Sequence, residues 1–565
     1  MKKKFLSSLV AVACAPAIFV GSAQAAASAD AASTSHAKPN IVYIIVDDQR
    51  YDALGFMNDA AVTPNMDKMA ANGVHFKNAF VTSSLSSPSR ASVLTGLYSH
   101  NHGISDNNPN PVAEKLKYFP QELHKAGYQT GFFGKWHFGG IEEKAKAGFA
   151  GFDRWVGLIG QGDYYPVNMM GKPAQLNIDG KMVNQKGYIT DELTDYALDY
   201  LDHRDKDKPF MIYLSHKGVH ADFLPAPRHI DTLKGKKFPV PASYADTEEN
   251  YKGKPRWVKD QRNSWHGVDF PYMKDLDLNK FQRDYYETLR SVDDSVGRVQ
   301  KYLKDHNLAD NTIIMLMGDN GFQFGEHGLT DKRTAYEASI RVPLIASGPG
   351  FDKGRVVEDV VANIDIAPTL LDAAGVKTPD WYDGSSFYPL AHGEKPAKPR
   401  DSSFVYEYFW EYNFPYTPTT FAVRNDTYKY IQYYGLWETE ELYNLKDDPD
   451  EMHNLINSKD DNIIETKIAL RKELFEKLKD HNGNNVIPYN QRRSEGVVQR
   501  HGPEGRKAAN FPKEWMKEYG TQDFLMGWFP DRLNKKEFYK QFETGLKKGK
   551  EALEKAIEEE KAKSL

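Results

Sequence analysis

The chain has 565 residues, with 73 Lys and Arg against 78 Asp and Glu, a formal net charge of −5, and a single cysteine. This balance of charge argues against a nucleic-acid partner, and the mean hydropathy of −0.63 argues against a protein with many membrane spans. The length fits several domains, or one large α/β domain with a smaller one appended.

The first 25 residues have the composition of an export signal. Three lysines at positions 2–4 precede an apolar stretch from Phe5 to Val20, and Ala-Gln-Ala at 23–25 forms a cleavage site. The stretch is shorter than the ~20 residues that span a bilayer, so we expect no retained membrane span and a periplasmic or secreted protein. Residues 26–38 are expected to be a flexible leader. Cys14 leaves with the signal, which excludes disulfides and thiolate chemistry from the mature chain.

Short, unbroken apolar runs followed by amphipathic stretches are typical of a doubly wound α/β sheet. We predict one catalytic domain over residues 39–399 on this pattern. The clearest strands are Ile41–Val46, Tyr128–Phe133, Phe210–Leu214 and Thr312–Met317. The clearest helices are Val112–Ala126, Asp191–Leu201 and Phe281–His306.

From about residue 400 the sequence changes to alternating, aromatic-rich segments. These predict a smaller α+β subdomain over 400–495, in which a helix over 462–479 packs on an antiparallel sheet. Its strands are Phe404–Phe409, Thr420–Arg424, Tyr428–Tyr433 and Glu441–Leu445. Residues 496–565 are expected to be a charged helical tail whose end is solvated.

Two acidic pairs follow two of the predicted strands. Asp47 and Asp48 come directly after the first strand, and Asp319 and Asn320 follow the strand at 312–317. Ligands of an open parallel sheet collect at the carboxyl ends of its strands, so both pairs are expected at one edge. Three carboxylates and an amide oxygen suit a hard divalent cation such as Ca²⁺ or Mg²⁺. The alternative is that each Asp caps a following helix.

A loop rich in serine leads into a short helix at residues 82–98, TSSLSSPSRASVLTGLY. Pro88 is predicted as the first helical residue, which puts Ser86 just before the helix N-terminus, where backbone N–H groups favour anionic oxygen. Arg90 in the first turn is placed to contact whatever occupies Ser86. An ordinary capped helix rich in serine is the alternative.

The segment SSPSR followed by ASVLTG resembles the sulfatase signature, in which a Cys or Ser is oxidised to Cα-formylglycine. Further blocks resemble the same family in the same order between residues 38 and 456: PNIVYIIVDDQR, FFGKWHFGG, GDNGFQFGEHG, KRTAYE, RVPLI, NIDIAPTLLDAAG and ELYNLKDDPDEMHNL. The resemblance implies an alkaline phosphatase-like fold, with a large doubly wound mixed sheet and a smaller C-terminal subdomain carrying an antiparallel sheet.

The resemblance also implies roles for individual residues. Ser86 is the formylglycine precursor, and one divalent cation, Ca²⁺ ahead of Mg²⁺, is held by Asp47, Asp48, Asp319, Asn320 and the matured Ser86. The groups that bind sulfate and formylglycine are Arg90, Lys135, His137 and Lys332. His220 matches the general acid. His216 is its rival, because the chain reads HKGVH where the family more often has Pro-His.

The chemistry explains this set of groups. Sulfuryl transfer passes through a loose transition state with charge on peripheral oxygens, so cations that position the ester dominate catalysis. An aldehyde hydrate carries two hydroxyls: one attacks sulfur, and loss of the proton of the other expels sulfate. Because the encoded residue is Ser, maturation is expected to need the radical S-adenosylmethionine maturase that accepts serine.

Three segments resemble N-acetylglucosamine-6-sulfatases: YSHNHGISDNN, FPYTPTTFAVRNDTYKYIQYY and LWETEELYNL. The expected substrate is therefore the 6-O-sulfate of N-acetylglucosamine in host glycans, with His216, Asp383 and Arg424 as candidate sugar contacts. The alternatives are another glycosaminoglycan sulfatase, an arylsulfatase, and a phosphatase or phosphonate hydrolase that uses unmodified Ser86. A glycan-binding relative without activity is a further one.

Overall fold

The computed structural model describes residues 38–269, 276–397, 399–411, 414–434, 440–481 and 535–563. The predicted signal, all but the last residue of the leader and the first part of the tail lie outside these ranges. The strands of the described residues are β1 (Asn40–Val46), β2 (Val74–Phe80), β3 (Gln129–Gly134), β4 (Arg154–Leu158), β5 (Gln175–Ile178), β6 (Lys181–Asn184), β7 (Phe210–His216), β8 (Thr312–Gly318), β9 (Gln323–Phe324), β10 (Thr330–Asp331), β11 (Leu344–Ser347), β12 (Arg355–Ala362), β13 (Phe404–Tyr408), β14 (Thr420–Arg424), β15 (Tyr428–Tyr433) and β16 (Glu441–Asn444).

The helices alternate with the strands over most of the chain. Those of the described residues are α1 (Pro64–Ala71), α2 (Ser86–Thr95), α3 (Ser99–His102), α4 (Phe119–Lys125), α5 (Ile189–Asp202), α6 (Glu248–Tyr251), α7 (Arg256–Asp260), α8 (Leu278–Asp305), α9 (Glu337–Ile340), α10 (Ile366–Ala373), α11 (Tyr388–Ala391), α12 (Asp461–Asp480) and α13 (Lys535–Lys563). No helix among the described residues has the length and apolarity that crossing a membrane requires.

A large mixed sheet forms the centre of the fold, as predicted. Its ten strands run in the order β12-β2-β11-β8-β1-β7-β3-β4-β5-β6. The four strands that the sequence predicted most clearly are neighbours at its centre, where β8, β1, β7 and β3 pair in parallel. Their carboxyl ends therefore meet at one edge of the sheet.

Alternate residues of β1 supply two hydrophobic cores, one on each face of the sheet. Ile41, Tyr43 and Ile45 join a cluster that includes residues of α2, α4 and α10. Val42, Ile44 and Val46 join a second cluster that includes residues of α1, α5 and α8. Burial on both faces explains why β1 is an unbroken apolar run, and it holds the end of the strand rigidly.

The predicted C-terminal antiparallel sheet is confirmed, with strands in the order β13-β14-β15-β16. Two of its strands, Thr420–Arg424 and Tyr428–Tyr433, have the predicted bounds. Helix α12 buries Leu470, Leu474 and Leu478 against this sheet at a spacing of four residues.

Two predicted features differ from the structure. The helix expected over 112–126 is a 3₁₀ turn followed by α4, because Pro120 lacks an N–H and its ring clashes with the carbonyl four residues earlier. The tail helix was expected to be solvated, but α13 packs Leu553, Ala556 and Ile557 against the core on the α8 side of the sheet. Apolar residues three or four apart give this charged helix one face that is worth burying.

Candidate active site

The two acidic pairs lie side by side at the carboxyl edge of the sheet. Strands β1 and β8 are parallel neighbours in which Val46 lies opposite Gly318, so the residues that follow each strand meet. Oxygen atoms of Asp47, Asp48 and Asp319 lie within 4.8 Å of one another, and all three side chains are buried. The backbone N–H of Asp48 donates to Asp319 Oδ1 at 2.9 Å, which ties the two strand ends together.

The donor set fits a divalent cation. Asn320 Nδ2 donates to Asp48 Oδ1 at 2.8 Å. This contact turns the amide so that Asn320 Oδ1 is left buried without a hydrogen-bond partner among the described residues, as Asp48 Oδ2 is. Buried oxygens without partners cost free energy unless a cation or donor meets them. Asp48 has a φ of 55°, the left-handed region in which a residue other than glycine is strained.

Burial raises the pKa of Asp48 to about 7, against the ammonium of Lys332, and Asp47 and Asp319 add to the rise. Burial also raises the pKa of Asp319, with the charge of Asp47 as the next cause. Asp47 is different: burial works in the same direction, but Lys135 and other cations hold its pKa well below the usual range. A cluster of buried carboxylates that repel one another in this way is typical of a metal or catalytic site.

Ser86 lies beside the carboxylates. Helix α2 begins at Ser86 itself, with Leu85 as N-cap, whereas the sequence predicted Pro88 as the first helical residue. Its hydroxyl donates to Asp47 Oδ1 at 3.2 Å, and Lys135 Nζ donates to the Ser86 oxygen at 3.4 Å. The side chain is buried, so a modified Ser86 would react in a site shielded from bulk water.

Arg90 joins α2 to three strand ends. Its Nε donates to Asp319 Oδ2 at 2.9 Å, and its Nη1 donates to the carbonyl of Lys135 and to Ser215 Oγ. Its Nη2 is buried, lies 2.9 Å from Asp319 Oδ2, and is 3.7 Å from Asp47 Oδ1, the oxygen that accepts from Ser86. The guanidinium thus reaches the Ser86 side of the site, as expected.

Two lysines complete the positive charge. Lys135 Nζ lies 2.5 Å from Asp47 Oδ2, and Lys332 Nζ lies 2.5 Å from Asp48 Oδ1. Burial lowers the pKa of Lys135 to about 8 against the opposing effect of Asp47. Burial also acts to lower the pKa of Lys332, but Asp331 and Asp48 outweigh it and raise that pKa.

The structure places His137 and His220 at the same site. His137 Nδ1 lies 3.3 Å from Ser87 Oγ, next to Ser86 on α2. His220 Nε2 lies 3.9 Å from Asp48 Oδ2, and its loop is fixed to the end of β1. Burial and then the nearby lysines hold the pKa of both histidines well below the usual value.

The other three candidates have partners within the protein, and their contacts with substrate stay predictions. His216 is fully buried at the end of β7 and its Nε2 bonds to Ser295 on α8, away from the acidic pairs. Asp383 accepts from the Tyr98 backbone and the Asn101 side chain. Arg424 is buried in β14, where its guanidinium pairs with Glu337 at 3.1 Å and lies over the Phe80 ring.

Sequence reasoning missed two residues that support the site. The Ser215 hydroxyl accepts from Arg90 Nη1 and donates to the carbonyl of Lys135 at 2.6 Å. Tyr164 donates its hydroxyl to the carbonyl of His220 at 2.7 Å. Ser215 could have been found from its place at the end of a predicted strand, whereas nothing near Tyr164 in the sequence indicates that it meets the loop at 217–220.

The chain matches known protein families, individual relatives and solved structures. A family model described as Sulfatase matches residues 39–376, and one described as N-sulphoglucosamine sulphohydrolase, C-terminal, matches residues 325–480. An N-acetylglucosamine-6-O-sulfatase of Bacteroides thetaiotaomicron is 34% identical over 74% of this chain and 82% of its own length. An N-acetylglucosamine-6-sulfatase of Homo sapiens is 29% identical over 76% of this chain and 82% of its own length.

A solved structure of a protein in complex with its substrate, D-glucosamine-2-N,6-O-disulfate, has a TM-score of 0.72 and 31% identity to this chain. The match covers 79% of this chain and 99% of that one. The likeness therefore includes both the large sheet and the C-terminal sheet.

Proposed function

We propose, because this chain belongs to the sulfatase family and is a sulfuric ester hydrolase, that it removes the 6-O-sulfate of N-acetylglucosamine units in glycans. The bacterial and human relatives carry this activity in their names, and the solved relative binds a 6-O-sulfated glucosamine. The observation that carries the proposal is the place of Ser86, whose hydroxyl lies 3.2 Å from Asp47 and 3.4 Å from Lys135 among buried carboxylates and cations.

Ser86 is proposed to be converted to formylglycine. A plain serine would leave a stable sulfate ester after attack, whereas the hydrated aldehyde supplies a second hydroxyl on the same carbon that allows sulfate to leave. The maturase that accepts serine is the proposed partner for this conversion. Export through residues 1–25 to the periplasm or the outside is part of the same proposal, since a glycan polymer is met there.

Asp47, Asp48, Asp319 and Asn320 are proposed to hold one divalent cation, Ca²⁺ ahead of Mg²⁺, together with the matured Ser86. The buried Asp48 Oδ2 and Asn320 Oδ1, which lack partners among the described residues, support this assignment. Oxygen donors from carboxylates and an amide suit Ca²⁺ in particular. When bound, such an ion supplies Lewis acidity and charge stabilisation.

The remaining residues have separate proposed tasks. Arg90, Lys135 and Lys332 bind the oxygens of the sulfate group and stabilise the charge that spreads over them as the ester bond breaks. His220, at the mouth of the site, gives a proton to the leaving sugar oxygen once the negative charge of the bound ester has raised its lowered pKa. His137, beside Ser87, accepts the proton whose loss releases sulfate. Tyr164 positions His220, and Ser215 positions Arg90.

The test is expression of the chain with and without the serine-accepting maturase, followed by intact-mass analysis and turnover of defined sulfated sugars. We expect the loss of two hydrogens at Ser86 and release of sulfate from N-acetylglucosamine-6-sulfate in the co-expressed protein alone. Equal turnover of 2-O-, 3-O- and 6-O-sulfated sugars would contradict the assigned substrate. Phosphate-ester hydrolysis by a protein with unmodified Ser86 would support a phosphatase instead.

A further inference from the structure

Lys217 is a buried ammonium that the proposed mechanism does not use. Its side chain is buried, with 5% exposure. The Nζ atom donates to the carbonyl of Gln161 at a long 3.3 Å and lies 4.8 Å from the centre of the Tyr164 ring. Among the described residues it forms no ion pair, although burying an ammonium without a carboxylate partner is costly.

The loop that carries Lys217 is fixed to the catalytic edge of the sheet. Asp47 N donates to the carbonyl of Gly218 at 2.9 Å, and Val219 N donates to the carbonyl of Asp47 at 2.7 Å. Tyr164 contacts both ends of the loop, since its ring lies under Lys217 and its hydroxyl bonds to the carbonyl of His220. Lys217 therefore lies on the same short loop as His220, which crosses the end of β1.

The carboxylates around Lys217 only partly offset the effect of its burial. Burial lowers the pKa of its ammonium, while Asp47, Asp163, Asp222 and Asp48 act in the opposite direction. None of these carboxylates pairs with it directly. Asp222 is exposed and Asp163 is half-buried, so the surroundings of the Lys217 loop reach solvent. A sugar whose leaving oxygen meets His220 would lie beside this loop.

We propose that Lys217 determines specificity by binding a second anionic group of the substrate, in addition to the 6-O-sulfate. The inference rests on the proposed function, because it assumes that a 6-O-sulfated sugar is bound at the candidate active site. A sulfate or carboxylate meets an unpaired ammonium at low desolvation cost, since the ammonium is already removed from water. Two sources offer this chemistry: a 2-N-sulfate on the same sugar, or the carboxylate of a neighbouring uronate.

The experiment compares matured full-length wild type with Lys217→Met, Lys217→Arg and a control, Lys208→Met. Lys208 precedes the opposite end of β7, and its side chain is 59% exposed. The substrates are N-acetylglucosamine-6-sulfate, glucosamine-2-N,6-O-disulfate and a disaccharide of a uronate with N-acetylglucosamine-6-sulfate. The disaccharide separates the two sources of the second anion.

We expect wild type and Lys208→Met to prefer one of the doubly anionic substrates by about tenfold in kcat/KM, which is a modest binding contribution. In Lys217→Met that preference disappears, mainly through KM, while turnover of N-acetylglucosamine-6-sulfate stays within about twofold of wild type. Lys217→Arg, which keeps the charge, retains the preference and shows that the loop still folds.

Three outcomes overturn the inference. An equal loss on all three substrates in Lys217→Met means that the ammonium acts on the shared 6-O-sulfate or on the loop. A preference that survives in Lys217→Met, or that is absent from an active wild type, means that Lys217 binds no second anion. A wild type that is inactive on every 6-O-sulfated sugar overturns the proposed function as well, whereas the other outcomes overturn only the inference about Lys217.

Discussion

The ammonium nitrogen of Lys332 lies 2.5 Å from Asp48 Oδ1, so a residue proposed to bind sulfate is paired with one proposed to bind the cation. Lys135 stands in the same relation to Asp47, and Arg90 to Asp319. Each buried carboxylate of the site thus has its own buried cation. Because opposite charges that are buried together depend on each other, removing one partner leaves the other uncompensated.

Replacing Asp319 by Asn is expected to abolish metal binding and to lower kcat/KM by more than about 100-fold. The change removes one of the three clustered carboxylates and leaves the Arg90 guanidinium without its charged partner. Metal content of the purified protein and sulfate release are the measurements. Asp359→Asn, on the edge strand β12, is the control, since that side chain is exposed. Wild-type metal content in Asp319→Asn would rule out this ligand assignment.

Chelation of divalent ions is expected to lower the thermal midpoint of the wild type, and added Ca²⁺ to restore it. An ion at 100 times its dissociation constant stabilises a folded protein by about 2.7 kcal/mol if it does not bind the unfolded chain. The same titration should leave the midpoint of Asp319→Asn unchanged. If both proteins respond equally to Ca²⁺, the ion binds elsewhere.

Replacing Ser86 by Ala is expected to remove the mass change produced by the maturase and to lower activity at least about 1,000-fold, as loss of a nucleophile does. The fold should tolerate the change, because among the described residues the hydroxyl makes only two long contacts, with Asp47 and Lys135. Thermal unfolding checks the fold, and Ser87→Ala is the neighbouring control for the mass change. Residual activity of Ser86→Ala within tenfold of wild type would exclude Ser86 as the nucleophile precursor.

Replacing Glu411 by Gln is expected to destabilise the protein by on the order of 3 kcal/mol, because the buried guanidinium of Arg333 then keeps Asp331 but loses its second carboxylate partner. Glu411 accepts from Arg333 Nε at 2.7 Å and from the Tyr408 hydroxyl at 2.8 Å, and it is 3% exposed. Arg333 directly follows Lys332, so kcat/KM should fall with stability. The exposed pair Lys77–Glu358 offers the control Glu358→Gln, expected to cost less than about 1 kcal/mol. Equal thermal midpoints for the two variants would contradict the prediction.

Acid is expected to destabilise the fold partly through His102. Burial lowers the pKa of this histidine from 6.5 to about 3, and its Nδ1 accepts from the Ile104 N–H, a contact that a protonated ring would lose. The unfolded chain therefore binds the proton first, so stability contributed by neutral His102 is complete above pH 6.5 and falls as the pH drops toward 3. Between pH 7 and pH 5 the loss is on the order of 2 kcal/mol.

The measurement for His102 is the difference in thermal midpoint between pH 7 and pH 5. His102→Asn should show a smaller difference than wild type, since the residue that gains a proton on unfolding is gone. His203→Asn, at an exposed position, should keep the wild-type difference. An unchanged pH dependence in His102→Asn would show that other groups dominate acid unfolding.

Much of the fold could be predicted because local composition reports burial. The central strands are apolar on both faces, and β14 and β15 are rich in aromatic and β-branched residues, so their bounds follow from the residues themselves. The prediction of a single helix over 112–126 was wrong because Pro120 breaks the helix despite the apolar spacing around it. The prediction of a solvated tail was wrong because it followed from the many charges of that segment. Three apolar residues on one side of α13 are enough to pack it against the core.

The site was harder to predict than the fold. The predicted strand ends placed Asp47, Asp48, Asp319 and Asn320 at one edge of the sheet, with helix capping as the alternative. Ser86 was added to this group only through the resemblance to sulfatases. Residue type and strand position could not decide whether His216 or His220 faces the site. The first completes β7 with its side chain toward α8, and the second follows in a loop that crosses the strand ends. Asp383 and Arg424 looked available in the sequence, but each has partners far along the chain.

The amino-acid sequence by itself determined the class of fold, the family and the candidate residues of the catalytic centre, because these depend on residue type and order along the chain. Only the tertiary structure decided which histidine faces the site, which cation pairs with which carboxylate, and that Lys217 is left without an ion-pair partner among the described residues. These are relations between groups such as Asp48 and Asp319, 271 positions apart, that become neighbours when β1 and β8 pair. Electrostatic energy depends on distance in space, and position in the chain does not report it.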